Sequence, residues 1–222
     1  MAGVERVGDL LHRTAFRTLS LLGSRGQGAL LRRYFDWWHR NPDPWRMGTD
    51  AYEQAKYAAT LAQVPGGRYR RILEVGCSEG VFTGLLVDAY PEAEVTGLDI
   101  SERALARAAE RVAKAAGRTT LLAADLLTFT SEHRYDLVFC AETLYYLGRR
   151  DRLRLASAQL TRLVAPGGVL VLVHPWPEAR RLHRFVHAGP LSPVSEVVED
   201  SGHRPFSVSV YEARAAGSTG AS

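Results

Sequence analysis

Between residues 71 and 173 short apolar, β-branched runs alternate with longer stretches whose apolar positions recur at helical spacing. Residues 71–75 read as a first strand ending at Gly76. A helix follows with Val81, Phe82, Leu85, Leu86 and Ala89 on one face, and it stops before Pro91. Residues 94–98 form a second strand that delivers Asp99 at its carboxyl end. Ser101 has the character of an N-cap and Glu102 suits the positive end of a helix. Ala104, Leu105, Ala108 and Val112 keep the helical period there, with Gly117 as the expected stop. Residues 119–123 make a third strand leading to Asp125, and residues 135–140 a fourth. A helix from about residue 149 to 164 is stopped by Pro166-Gly167-Gly168, and residues 169–173 make a fifth strand. Strands that are apolar throughout, with helices between them, predict a parallel sheet covered on both faces. The fold class is therefore α/β, a doubly wound and mostly parallel sheet, with its ligand expected at the carboxyl ends of the strands.

The first 70 residues differ. Leu10-Leu11, Leu19, Leu21-Leu22 and Leu30-Leu31 give them a helical texture, followed by Tyr34, Phe35, Trp37 and Trp38, and Asn41-Pro42-Asp43-Pro44 breaks the run. Asp50-Ala51-Tyr52-Glu53 has capping-box spacing and opens a helix that runs toward Pro65-Gly66-Gly67. This N-terminal helical segment is expected to cap the ligand cleft, with extra core or an oligomer contact as the alternatives. The expected organisation is a cap over residues 1–68, a ligand-binding domain over 69–214 and a flexible tail over 215–222. Beyond residue 175 only residues 205–211 read as a strand, and residues 191–200 read as a helix starting near Ser192-Pro193. Either the sheet is one strand short or a further strand lies within residues 183–188.

Composition narrows the class. The chain has 222 residues, 46% hydrophobic and 23% charged, which excludes a disordered or fibrous protein. Two cysteines, Cys77 and Cys140, make no disulfide framework, and a reducing compartment is the natural setting. No apolar run reaches membrane-span length, and the opening residues lack the features of a secretion signal, so a cytoplasmic location is expected. The net charge is +4, and all but two of the 28 basic side chains are arginines, the exceptions being Lys56 and Lys114. The arginines cluster only weakly, at Arg32-Arg33, around residues 149–154 and at Arg180-Arg181, so neither a nucleic acid nor a membrane is an expected partner. Monomer and homodimer both remain open.

The chemistry concentrates at strand ends. Glu74-Val75-Gly76-Cys77-Ser78-Glu79-Gly80 occupies the first strand-to-helix turn, where Gly76 and Gly80 let the backbone approach a ligand. The dinucleotide fingerprint needs a middle glycine that Cys77 and Ser78 replace, which favours a ligand without a pyrophosphate. Asp99, followed by Ile100, can accept from both hydroxyls of a ribose. Asp125, beside Leu126, can accept from an exocyclic amine such as that of adenine.

This trio resembles the class I S-adenosylmethionine-dependent methyltransferases over about residues 70–175. Asp43-Pro44-Trp45-Arg46-Met47, Asp50-Ala51-Tyr52-Glu53 and Ala141-Glu142-Thr143-Leu144-Tyr145-Tyr146-Leu147 are similar to the nodulation protein NodS group, which extends the resemblance to about residues 34–175. That group methylates the amine of a deacetylated amino sugar in a chitooligosaccharide. The resemblance implies that Gly76, Cys77, Ser78 and Gly80 pass under the methionine part of the cofactor, Asp99 and Ile100 hold its ribose, and Asp125 and Leu126 its adenine. It also implies that Trp45 and Arg46 belong to the cofactor site, with Arg46 able to pair with the cofactor carboxylate, the alternative being a surface cation. Tyr52 either closes over the sulfonium or simply packs.

Glu142, just past the fourth strand, either binds and deprotonates an acceptor amine or caps the next turn. His174, at the end of the fifth strand, is either a base or a hydrogen-bonded structural residue. Tyr145 and Tyr146 either line the acceptor pocket or belong to the core. His183 and His187 have an i, i+4 spacing without an H-E-x-x-H motif, and no metal is expected. Cys77 has no paired base and is a packing residue. The expected function is methyl transfer from S-adenosylmethionine to a small-molecule amine. O-methyl transfer, an NAD-linked oxidoreductase and a silent cofactor-binding subunit are the alternatives.

Overall fold

Seven strands form one sheet in the order β3-β2-β1-β4-β5-β7-β6 in a computed structural model, which describes residues 24–200 and 204–215. The runs Leu10-Leu11, Leu19 and Leu21-Leu22 and the tail from 216 lie outside the described residues. The strands are β1 (Arg71–Val75), β2 (Glu94–Asp99), β3 (Thr119–Ala123), β4 (Tyr135–Ala141), β5 (Val164–Pro175), β6 (Ser192–Glu199) and β7 (Phe206–Glu212). The first five are parallel, and β7 runs antiparallel to both β5 and β6. The helices are α1 (Ser24–Trp38), α2 (Ala51–Ala62), α3 (Val81–Ala89), α4 (Glu102–Arg111), α5 (Arg150–Leu163) and α6 (Ala179–His187). Among the described residues no helix is long and apolar enough to cross a membrane.

The two-residue period of a strand divides the core between the faces. Val138, Cys140, Leu170 and Leu172 meet Leu153, Leu160 and Leu182 of α5 and α6 on one face. Leu137, Phe139, Val169, Val171 and Val173 meet Tyr57 of α2 and Phe82 and Leu86 of α3 on the other. Strand order reverses between β1 and β4, which opens a crevice at their carboxyl ends.

The local caps and stops form largely as expected, with three differences. Asp50 caps α2 by accepting from the Tyr52 N–H at 2.9 Å, but Glu53 turns to Lys56 and leaves the capping box half made. Ser101 caps α4 by accepting from the Ala104 N–H. That helix ends at Arg111, before Gly117, and two short 3₁₀ turns kinked at Ala115 (Ala113–Arg118) lead into β3. Pro166-Gly167-Gly168 does not precede the fifth strand but lies within it. Val164 already pairs with Tyr135, and a bulge with Gly167 at φ +72° carries the pairing on to Val169.

The largest correction concerns residues 191–200, which form the edge strand β6 rather than a helix. Residues 183–188 carry no hidden strand: they belong to α6 and its cap. Pro193 is compatible with β6 because an edge strand needs no ladder donor on its open side, and the register shifts there between Pro193 and Ser195.

Candidate active site

The crevice at the β1–β4 switch point is a cavity of about 530 Å³, within the usual range for small-molecule sites. Of the residues singled out in the sequence, Trp45, Tyr52, Gly76, Cys77, Ser78, Asp99, Ile100, Asp125, Leu126, Glu142, Tyr145 and Tyr146 line it together. Arg46, Gly80 and His174 do not.

The floor is the turn after β1. Gly76 has φ +81°, and a Cβ there would sit 2.3 Å from Thr143 Oγ1, so only glycine fits between β1 and the loop after β4. Ser78 follows at φ +49°, an unfavourable conformation for a side-chain-bearing residue, held because its N–H donates to Asp99 Oδ2 at 2.8 Å. Asp99 Oδ1 accepts from the Ser101 N–H at 2.8 Å, so one carboxylate organises both turns. Burial nevertheless pushes the Asp99 carboxyl above its ordinary range, against the pull of those amides. Asp125 is likewise pushed up by burial and accepts from the Leu127 N–H at 2.8 Å. Its other oxygen lies against α1 so closely that a Cβ on Gly28 would come within 2.5 Å. Gly80 caps α3 at φ +74° and packs on Ala108, a structural place behind the floor.

Helix α1 spans the mouth. Gln27 donates to the Leu147 carbonyl at one end, and Asp36 accepts from Ser101 Oγ at 2.7 Å at the other. Beyond α1 the chain is pinned by Glu79, a buried residue that no motif reading assigned a role. Glu79 Oε1 meets His39 Nδ1 at 2.8 Å and Arg107 at 2.9 Å, while Oε2 accepts from the Asp43 N–H at 3.0 Å. Burial opposes its charge, but these donors hold the carboxyl below its usual range. Trp45 packs edge-on against Phe35 and His39, whereas the next residue, Arg46, is exposed at φ +57°. Its guanidinium is therefore not brought to the cavity, in contrast with the role that the resemblance implied.

The opposite wall carries charge. Lys56, 4% exposed, sits 2.8 Å from Glu53 Oε2 and 3.0 Å from Glu142 Oε1. Burial works against its ammonium, yet Glu142 and Glu53 hold its pKa above the usual value. Arg204 pairs with Asp50 and Glu53 and lies 4.2 Å over the Tyr52 ring, whose hydroxyl donates to the Arg204 carbonyl. Tyr52 thus already faces two cations, Arg204 and Lys56. Glu142 has φ +50° and donates its N–H to the Val173 carbonyl. Tyr145, whose phenol is pushed well up by burial with Glu142 alongside, stands next to it. Lys56 carries no motif; its one signal in the sequence is that it is one of two lysines among 28 basic side chains.

His174 is displaced from the role of a base. It is fully buried, its Nε2 accepts from the Thr143 and Leu144 N–H groups, and burial with His183 and Lys56 nearby pushes its pKa well below the usual value. Cys77 and Cys140 are buried thiols pushed up by desolvation, which fits packing.

Glu74, at the root of the floor, gives a pH prediction. It is buried, accepts from Thr83 Oγ1 at 2.6 Å, and burial pushes its carboxyl up to about 7. The folded pKa lies above the unfolded one, so the native state binds more protons between about pH 4.5 and 7, and stability falls as pH rises through that window. Thermal melts of the ligand-free protein at pH 5 and pH 8 should show this fall. Glu74→Gln, which keeps a partner for Thr83, should flatten it; a pH slope equal to wild type would mean that Glu74 does not titrate there.

The family model described as Nodulation protein S (NodS) matches residues 25–201. Nodulation protein S of Rhizobium tropici is 37% identical over 130 residues, 58% of this chain and 53% of the relative, so the chain spans little more than half of that protein's length. A trans-aconitate 2-methyltransferase of Methylobacterium radiotolerans is 35% identical over 131 residues, 59% of this chain and 48% of that protein. The crystal structure of N-methyltransferase NodS from Bradyrhizobium japonicum WM9 in complex with S-adenosyl-L-homocysteine superposes with a TM-score of 0.71 at 26% identity, covering 82% of this chain and 97% of that one. With the match running from α1 past the end of β6, this chain belongs to the nodulation protein S family and has the methyltransferase fold of its solved member.

Proposed function

We propose that the protein is an S-adenosylmethionine-dependent methyltransferase acting on the amine of a small molecule, with an amino sugar as the first candidate. The observation that carries this reading is the single cavity in which the Gly76 turn, Asp99 and Asp125 face a wall bearing Glu142. The donor set fits an adenosyl group: two strand-end carboxylates accept, and the glycine at φ +81° keeps the floor free of a Cβ. In this reading residues 1–68 are a cap, 69–214 the catalytic domain, and the protein works in the cytoplasm.

The bound cofactor would supply an already activated methyl group, so the chain's main task is alignment, a contribution of about 7–11 kcal/mol in well-oriented systems. Asp99 and Asp125 fix the adenosyl end, while Trp45 and α1 exclude water. Glu142 receives the proton that an ammonium acceptor must lose, on a carboxylate held by Lys56. Among the residues lining this wall, Glu53 and Glu142 balance Lys56 and Arg204 in charge, so the acceptor's class is read from Glu142 and not from a net field.

A panel of amines, amino sugars, phenols and carboxylates with labelled S-adenosylmethionine, read by mass shift, tests the assignment. An amine hit is expected, with a chitooligosaccharide bearing a free amine heading the panel. Turnover only of phenols or carboxylates would overturn the N-methyl reading. Glu142→Gln should lower kcat by about 10²–10⁴-fold. Unchanged turnover across pH would remove Glu142 from the reaction.

A further inference from the structure

His174, His183, Ser209 and Glu196 form one line of hydrogen bonds across β5, α6, β7 and β6, and its chemistry fixes the tautomer of both rings. His174 Nε2 faces two backbone donors, the N–H groups of Thr143 at 3.3 Å and Leu144 at 3.1 Å. An N–H can only donate, so this nitrogen carries the lone pair and the ring proton is on Nδ1. Nδ1 lies 2.9 Å from His183 Nε2, which must therefore accept. The His183 proton is then on its own Nδ1, 2.9 Å from Ser209 Oγ. The Ser209 hydroxyl donates onward to Glu196 Oε1 at 3.4 Å, an oxygen that Ser207 Oγ also reaches at 3.3 Å. Burial keeps both rings neutral, pushing His183 down to about 3.

We propose that this line is a directional relay that positions the loop of residues 142–147 for the methyl acceptor, with His174 and His183 as positioning residues. The inference rests on the methyltransferase reading of the cavity. The loop presents Glu142, Tyr145 and Tyr146 to the cavity and contains a single 3₁₀ turn (Leu144–Leu147), too short to hold its own amides. His174 supplies the missing acceptor, and Thr143, held by it, is the residue packed over Gly76. Glu196 gives the relay its direction from the exposed edge strand. Were the rings to take the opposite tautomers, His174 would turn an N–H against two N–H groups and release the loop.

Nitrogen-15 spectra of the imidazole rings in the wild-type protein test the direction without any need for activity: both rings should be protonated on Nδ1 and bare on Nε2. A proton on either Nε2 overturns the proposal. Ser209→Ala removes the acceptor for His183 at a small side chain. It should raise the KM for a chitooligosaccharide amine by about tenfold, the scale of one buried donor left unpaired, while the affinity for S-adenosylhomocysteine stays unchanged. His174→Gln, which returns an acceptor to the two amides, should recover most of the KM lost in His174→Leu. A folded Ser209→Ala variant with wild-type KM and only a lower Tm would make the line merely structural. Absence of methyl transfer by wild type to every acceptor would instead count against the reading of the cavity, leaving the tautomers to decide the relay.

Discussion

Gly76→Ala is expected to lower the affinity for S-adenosylhomocysteine by at least about 100-fold, equivalent to roughly 2.7 kcal/mol. Two costs act together. A side chain at φ +81° carries a penalty of about 1–2 kcal/mol, and the new Cβ would lie 2.3 Å from Thr143 Oγ1. Thr143 cannot yield freely, since its hydroxyl donates to the Ala141 carbonyl at 2.7 Å and its N–H is held by His174. The loop bearing Glu142 must move, or the turn under the cofactor must open, and both degrade the same cavity. Gly84→Ala is the matched control. It lies in α3 with nothing within 4 Å of its Cβ position, so alanine there should raise stability by about 0.5–1 kcal/mol and leave binding intact. Calorimetric titration and thermal melts of the two variants check the pair. Wild-type affinity in Gly76→Ala would mean that the turn does not approach the ligand.

The second large effect concerns stability. Lys56→Met should lower it by about 3 kcal/mol, because the substitution keeps the buried stem but removes the cation that Glu53 and Glu142 share, leaving Glu142 without a cation and Glu53 with only the longer Arg204 contact at 3.6 Å. For a domain of this size that is a fall in Tm on the order of 10 °C. Glu53 is the more exacting partner, with its side chain only 10% exposed against 29% for Glu142. Adding Glu53→Gln to Lys56→Met should therefore recover a large part of the loss, and a double-mutant cycle of melts measures the coupling. Additive losses would mean that the lysine contributes packing rather than charge balance.

Much of this architecture is legible in the sequence, and the illegible parts have physical causes. Strands β1, β2, β4 and β5 declare themselves because they are largely buried on both faces, β3 because it repeats their short apolar run, and Asp99 and Asp125 are legible because strand ends in such a sheet face the ligand crevice. Edge strand β6 is half exposed, so its residues need not be apolar throughout, and Ser192-Pro193 followed by acidic positions imitates a helix start. Residues near in sequence to a strand end are also not equally near the cavity. His174 ends β5, yet its ring is drawn to His183 on α6 and away from the ligand, a contact between distant segments that no local pattern reports. Arg46 differs from its neighbour Trp45 in the same way: backbone at φ +57° sends the two side chains to different surroundings. The charged wall is the clearest case, since Lys56, Glu142 and Arg204 come from three separated segments and meet only through the fold.

Isothermal titration with S-adenosylhomocysteine tests most directly whether the crevice beside Gly76, Asp99 and Asp125 is a cofactor site. Wild type should bind one equivalent with measurable heat, and Asp99→Ala should lose that heat. No heat from wild type with either the product or S-adenosylmethionine, or an Asp99→Ala titration matching wild type, would contradict the account.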